Sequence, residues 1–329
     1  MRQSSEIVSK NPIHNANQRP PHNILPKPTS GMCVNPPHHP RIHVGHSSDE
    51  TADTGCTVIL CKDEFVGGVH VPGHAPGSRE LDVLRTTTTP AHVDGVVLSG
   101  GSAFGLASAD GAMKFLAESN QGTKLLAIPV PIVPAAVVWD AACVKASSAK
   151  VEQGRIGAGM GTRNGKIMSL LGDYSARNRS GIGSSLVEFK GVKMGALCVV
   201  NSLGYIANPT TGEHISGLEK ESGGLFSDEE MLQALSIDPS KGNTLLCVVA
   251  TNCKLTKLEC CDLARRASNG IVRSVRPAFL SQDGDVVFTL SRQEQDDNTI
   301  GNWKEIRTMN LLGELAARAV SQAIMNSVY

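Results

Sequence analysis

Leu245-Leu246-Cys247-Val248-Val249-Ala250 is an unbroken apolar run, and Gly242-Asn243-Thr244 stands directly before it. Six apolar residues without alternation read as a fully buried strand, which commits the chain to a sheet covered on both faces. The Gly-Asn pair is small and bendable, and the hydroxyl residue after it enters the strand. This pattern suits a self-cutting peptide bond. If the Asn243–Thr244 bond breaks, Thr244 becomes a new N-terminus at the mouth of the sheet. Its hydroxyl is then a nucleophile and its own α-amine the adjacent base. Taken alone, Asn-Thr before a strand is an ordinary turn, so the rest of the chain has to decide.

A chain of 329 residues, 40% apolar, has enough material for one large domain or two small ones. Lys+Arg and Asp+Glu are both 31, so no global charge points to nucleic acid or to an acidic membrane surface. Aromatic residues, at 4%, are too few for base-stacking platforms. No apolar stretch is long enough to span a bilayer and no secretory h-region opens the sequence. The nine cysteines are odd in number, and several sit in apolar runs. They read as reduced thiols of a cytoplasmic protein. Cys253, Cys260 and Cys261 lack the CxxC and histidine spacing of a metal site, and no cofactor or metal is expected.

Residues 1–40 hold eight of the seventeen prolines and four of the ten histidines. They read as a disordered tail. His38, His39, His43 and His46 resemble a metal-binding tract, with a solvated Pro/His tail as the plainer reading. The tail's scattered Arg and Ser and scarcity of acids leave organelle targeting open. From Arg41 to the end the chain reads as one globular domain. Strands are expected at Cys56–Cys61, Gly95–Leu98, Leu125–Pro129, Met194–Val200, Leu245–Ala250 and Val286–Leu290. Helices are expected at Phe104–Glu118, at Leu255–Val275 with a cap near Asn252, and at Trp303–Met325. Strands mixed with long helices give an α/β or α+β class. No internal repeat is visible.

Three further motifs sit at strand ends. Ser99-Gly100-Gly101 leads from a strand into a helix, where free N–H groups can hold an anion or simply permit tight packing. Val199-Val200-Asn201 ends a strand on an amide, either a turn former or an oxyanion donor if its strand abuts that of Thr244. Asp283-Gly284-Asp285 precedes Val286–Leu290. Asp-Gly is a hairpin signal by default, and two close carboxylates can also orient an ammonium or a hydroxyl. The Gly154–Gly161 loop is followed by Gly165-Lys166. Buried near a nucleophile, Lys166 can lower the pKa of a neighbouring amine or hold an anion.

In order along the chain, TGCTVILC (Thr54–Cys61), HAPGSRELD (His74–Asp82), VVLSGGSAFGLASADG (Val96–Gly111), IPVPIVPAAVVWD (Ile128–Asp140), GRIGAGMGTRNGK (Gly154–Lys166), GALCVVN (Gly195–Asn201), GNTLLCVVATN (Gly242–Asn252) and RPAFLSQDGDVVFTLS (Arg276–Ser291) resemble the DmpA family. That family holds L-aminopeptidase/D-esterases, β-peptidyl aminopeptidases and nylon-oligomer hydrolases. The resemblance covers residues 41–329. It implies an α+β fold, a four-layer αββα sandwich shared with ornithine acetyltransferases. It also implies a precursor that cuts itself into chains 1–243 and 244–329, and homo-oligomers of such αβ units.

Carried over, the resemblance puts the nucleophile on Thr244 and the scissile bond on Asn243–Thr244. The oxyanion asparagine falls on Asn201, the loop lysine on Lys166 and the acidic pair on Asp283 and Asp285. The acidic spacing and the threonine nucleophile lean towards the nylon-hydrolase branch, although Ser281-x-Asp283 imitates the serine and glutamate of the β-aminopeptidase branch. Trp139 stands where several members carry a tyrosine. An indole donates but neither accepts nor titrates, which bears on the substrate and not on the nucleophile. Trp139, Ser99, Gly100, Gly101 and Ser281 are candidate substrate-binding residues. The implied activity is cleavage of small peptides, amides or esters through an acyl-enzyme. The alternatives are acyl transfer of the ornithine-acetyltransferase type and an uncleaved, inactive relative acting as a scaffold.

Overall fold

A computed structural model describes residues 41–62, 64–89, 92–125, 128–140, 153–173, 177–237, 243–293 and 308–328. The expected tail and Gly242 lie outside these residues. The elements that position the site are β1 (Ile42–Asp49), β2 (Thr54–Cys61), β3 (Phe65–His70), β4 (Gly77–Arg79), β5 (Gly95–Ser99), α1 (Ser108–Glu118), β6 (Ala135–Val137), β7 (Ile182–Phe189), β8 (Val192–Asn201), α2 (Asp228–Leu235), β9 (Thr244–Thr251), α3 (Lys257–Ala267), α4 (Asn269–Ser274), β10 (Val286–Arg292) and α5 (Met309–Met325).

Two five-stranded sheets form, ordered β1-β2-β5-β6-β4 and β7-β8-β9-β10-β3. They share one pairing pattern. An antiparallel hairpin is followed by an antiparallel central strand, then a parallel neighbour, then an antiparallel edge strand. In both sheets the parallel pair is joined by a helical crossover, through α1 in the first and through α3 and α4 in the second. The topology is therefore repeated although no sequence repeat is visible.

Three apolar layers glue four structural layers. Leu197, Val199, Leu246, Val248 and Phe288 meet Ile42, Ile59, Val96 and Leu98 between the sheets. Cys198, Val200, Leu245, Cys247 and Val249 point the other way, onto Leu263, Ala267, Leu312, Ala316 and Val320 of α3 and α5. On the outer face of the first sheet Val97 and Ala135 meet Ala109, Ala112 and Leu116 of α1. The result is the expected αββα sandwich. It explains why Leu245–Ala250 lacks alternation, since both faces of β9 are covered.

Close approach of helix to sheet depends on small residues. A Cβ on Gly68 of β3 would lie 2.4 Å from the Cys260 carbonyl carbon of α3, and one on Gly183 of β7 would lie 1.9 Å from the Ala323 oxygen of α5.

Several expectations need correction. Leu125–Pro129 is not one strand, because Thr123–Leu125 pairs back on Ile128–Val130. The helix expected from Phe104 is a single turn, Ser102–Gly105, followed by α1. The one expected at Leu255–Val275 is two helices, and Thr256, not Asn252, caps the first in a capping box with Glu259. Asn252 instead accepts from the Lys193 N–H and donates to the Gly191 carbonyl. His43 and His46 belong to β1 and not to a tail, and His46 Nδ1 lies 2.9 Å from Thr57 Oγ1 in the interior. His38 and His39 lie outside the described residues.

Candidate active site

Asn201 is the last residue of β8 and Thr244 the first of β9, and antiparallel register sets them opposite each other. The strand ends meet because each apolar run stops at a polar residue, at the rim of the inter-sheet core. Across the parallel partner, Asn243 bridges Asp283 just before β10. The Asp-Gly pair is therefore no hairpin turn. It prolongs the β9–β10 ladder by one rung and brings both aspartates beside Thr244.

The Thr244 hydroxyl donates to the Asn243 carbonyl at 2.6 Å, and the same oxygen accepts from the Gly284 N–H at 2.7 Å. Asn243 and Thr244 are 1% and 5% exposed, so the bond is sealed inside the uncut chain.

Asn201 is oriented by one cation and by backbone groups. Lys166 Nζ donates to its backbone carbonyl at 2.9 Å and to its Oδ1 at 3.0 Å, and the Arg163 N–H reaches the same Oδ1 at 3.2 Å. Two donors on Oδ1 turn the –NH2 the other way, where it donates to the Trp139 carbonyl at 3.1 Å. Gly165, at φ 67°, makes the turn that aims Lys166 inward. Lys166 keeps some exposed surface, but its ammonium is desolvated enough to lower its pKa to about 7, against the upward pull of Asp283 and Asp285.

Burial pushes both aspartates up. The Asp283 carboxyl is raised by desolvation, opposed by hydrogen bonds from the Leu280 and Phe279 backbone and by Lys166. Its Oδ2 accepts from the Leu280 N–H at 2.8 Å, while its Oδ1 is buried and accepts no hydrogen bond among the described residues. Asp285 is raised further by desolvation and then by the charge of Asp283, and its Oδ1 accepts from the Leu245 N–H at 2.6 Å.

The five residues Thr244, Asn201, Lys166, Asp283 and Asp285 thus stand together. The candidate substrate residues do so less evenly. The Ser99 side chain is buried at the end of β5. The Gly101 N–H that was a candidate anion donor is given to Asp140 Oδ1 at 2.6 Å, and Thr54 Oγ1 donates to Oδ2 at 2.6 Å. Gly100 packs so tightly on that carboxylate that a Cβ would lie 2.0 Å from it. Ser281 is exposed in the turn before Asp283. Trp139 exposes its indole to solvent and contributes its carbonyl to Asn201. Sequence reasoning missed Asp140, the Arg163 N–H and the Gly284 N–H. Asp140 follows the more conspicuous Trp139 at the end of its motif, and backbone donors leave no side-chain signal.

This arrangement can place a hydroxyl nucleophile, an amide donor, a cation and two carboxylates around one carbonyl. The model of peptidase family S58 matches residues 40–329. An uncharacterized aminopeptidase of Mycobacterium leprae is 34% identical over 265 residues, 72% of this chain and 70% of that protein. A 6-aminohexanoate-oligomer endohydrolase of Kocuria sp. is 24% identical over 88% of this chain and 84% of that protein. Among solved structures, a beta-aminopeptidase of Burkholderia sp. shares the fold with a TM-score of 0.59 at 18% identity, covering 88% of this chain and 84% of that one. The expected DmpA-type resemblance therefore resolves into a membership: this chain belongs to peptidase family S58.

Proposed function

We propose that the protein is a self-processing N-terminal-nucleophile aminopeptidase or amidohydrolase, acting on small peptides, amides or esters through an acyl-enzyme on Thr244. The observation that carries this reading is the Thr244 hydroxyl at 2.6 Å from the carbonyl oxygen of the residue before it, at the start of a central strand. Relatives named as an aminopeptidase and as an oligomer endohydrolase support amide-bond hydrolysis.

In the cut enzyme, of chains 1–243 and 244–329, the Thr244 α-amine takes the hydroxyl proton and the oxygen attacks the substrate carbonyl. Asn201 has two amide hydrogens. One is held by Trp139, and the second is the donor to the substrate oxyanion. Lys166 fixes the asparagine and balances the buried acids. The buried, unengaged Asp283 Oδ1 is an acceptor for an ammonium, that of Thr244 or of the substrate. Asp285 holds β9 in place through Leu245. Water then releases the acyl group.

We read the assembly as a cytoplasmic homo-oligomer of αβ units. No described helix is long and apolar enough to cross a membrane. Intact mass spectrometry, run beside aminoacyl-anilide and acetyl-donor assays, tests the proposal. Two chains with Thr244 at one N-terminus and anilide hydrolysis are expected. Acetyl transfer without hydrolysis would favour the acyltransferase alternative, and an active single chain would defeat the reading.

A further inference from the structure

The carbonyl of Asn243 accepts two hydrogen bonds, and they differ in kind. One comes from the nucleophile itself, the Thr244 hydroxyl. The other comes from the Gly284 N–H at 2.7 Å and is a rung of the parallel ladder between the segments entering β9 and β10. In an ordinary sheet such a rung only holds strands together. Here it falls on the one carbonyl that Thr244 would attack. The side-chain amide of Asn201, the other candidate donor, makes its described contact with the Trp139 carbonyl and not with Asn243.

Gly284 has a second constraint. A Cβ there would lie 2.7 Å from the Ala75 oxygen and 2.8 Å from Thr244 Oγ1. Any other residue would crowd the hydroxyl away from the carbonyl. The position therefore has to supply a backbone donor and at the same time leave room for the nucleophile.

We propose that the Gly284 backbone N–H is the oxyanion donor for cleavage of the Asn243–Thr244 bond, distinct from the Asn201 amide that serves substrate turnover. This rests on the reading that the bond is self-cut. Thr244 Oγ forms a bond to the Asn243 carbonyl carbon, and the carbonyl oxygen takes up negative charge against the Gly284 N–H. The C–N bond then breaks. The hydroxyl proton ends on the departing Thr244 nitrogen, leaving an ester between Asn243 and Thr244 Oγ. Water adds to that ester carbon, giving the Asn243 carboxyl group and restoring the Thr244 hydroxyl. A neutral ladder bond becomes charge-assisted as the oxyanion forms, so it strengthens in the transition state. It is buried and already aimed, so no reorganisation is needed at that step. The donor exists only once the β9 and β10 segments have paired, so cutting follows folding of the second sheet.

The test replaces the Gly284 amide by an ester, incorporating glycolic acid at position 284 of the full-length chain by nonsense suppression. The N–H is lost and the shape is kept. Self-cleavage, followed by mass spectrometry, should slow about 10²–10³-fold in protein whose circular dichroism and thermal unfolding match those of the unsubstituted chain. Cleavage within about threefold of the unsubstituted rate overturns the proposal. If the ester chain does not fold, amide hydrogen exchange in full-length Thr244→Ala decides. Gly284 protected to the level of the β9 amides supports the rung, and exchange at an unprotected rate overturns it. An unsubstituted chain that is never cut at Asn243–Thr244 would instead remove the reading beneath it, and is seen before any variant is made.

Discussion

Asn201 and Thr244 are register partners across β8 and β9, one closing its strand and the other opening its own. The register is set by the alternating packing of both strands, with Leu197, Val199, Leu246 and Val248 on one face and Cys198, Val200, Leu245 and Cys247 on the other. A slip of one residue would turn every one of these side chains to the wrong layer. The site's geometry is thus protected by the whole core, and its chemistry can be probed one residue at a time.

Thr244→Ala removes the hydroxyl and should leave a single, inactive chain. Thr244→Ser should still be cut, more slowly, and should hydrolyse substrate, because the donors around it are unchanged. Gel and mass analysis of fresh protein, with anilide kinetics, check both. A cut or active Thr244→Ala chain would move the nucleophile elsewhere.

Asn201→Ala should lower kcat about 10²–10³-fold in protein verified as cut and folded, with KM changed much less. Self-cleavage should proceed in this variant, since the Asn201 amide donates to the Trp139 carbonyl and the Gly284 N–H donates to that of Asn243. A kcat loss below about threefold would require another donor for turnover.

His46 gives the pH signature. Burial lowers its pKa from 6.5 to about 4. The unfolded chain therefore binds the proton between those values and the folded chain does not. Stability is full above pH 6.5 and is lost as pH falls towards 4, by about 3 kcal/mol from this residue. Denaturant titrations at pH 7 and pH 4 should show a smaller acid loss in His46→Asn than in the unsubstituted protein. Equal losses would mean that His46 takes up its proton without cost.

Gly68→Ala and Gly183→Ala should each destabilise by about 1–3 kcal/mol, since the added methyl meets the backbone of α3 or α5 and the helix has to shift. Chemical denaturation midpoints check this. Activity of the folded fraction should be kept, since neither glycine is at the site.

The legible parts of the sequence were the strands buried on both faces. β8, β9 and β10 each carry an apolar run, Ala196–Val200, Leu245–Ala250 and Val286–Phe288, and the polar residues at the site ends of these runs stand out against them. β1 carries His, Gly and Ser in its middle, β3 has two adjacent glycines and β7 has two serines, so none shows an apolar run. Gly68 and Gly183 lie against the backbone of α3 and α5, and the Ser185 hydroxyl donates to the Ala319 carbonyl of α5, so these residues answer a tertiary demand. Asp283-Gly284-Asp285 defaulted to a hairpin because the dipeptide rule assumes that the next strand pairs antiparallel, whereas β10 pairs parallel with β9. Asn252 looks like a cap because it follows a strand and precedes a helix, while Thr256 and Glu259 form the capping box.

The order of the second sheet decides what happens to the pieces after cutting. β9 and β10 would belong to the smaller chain, yet β8 pairs with one side of them and β3 with the other. The fragment is held like a card between two others, hydrogen-bonded along both of its edges to the larger chain. Pulling it out would mean breaking two ladders at once and stripping α3 and α5 from their shared core. The two chains should therefore purify as one particle and part only when the whole domain unfolds.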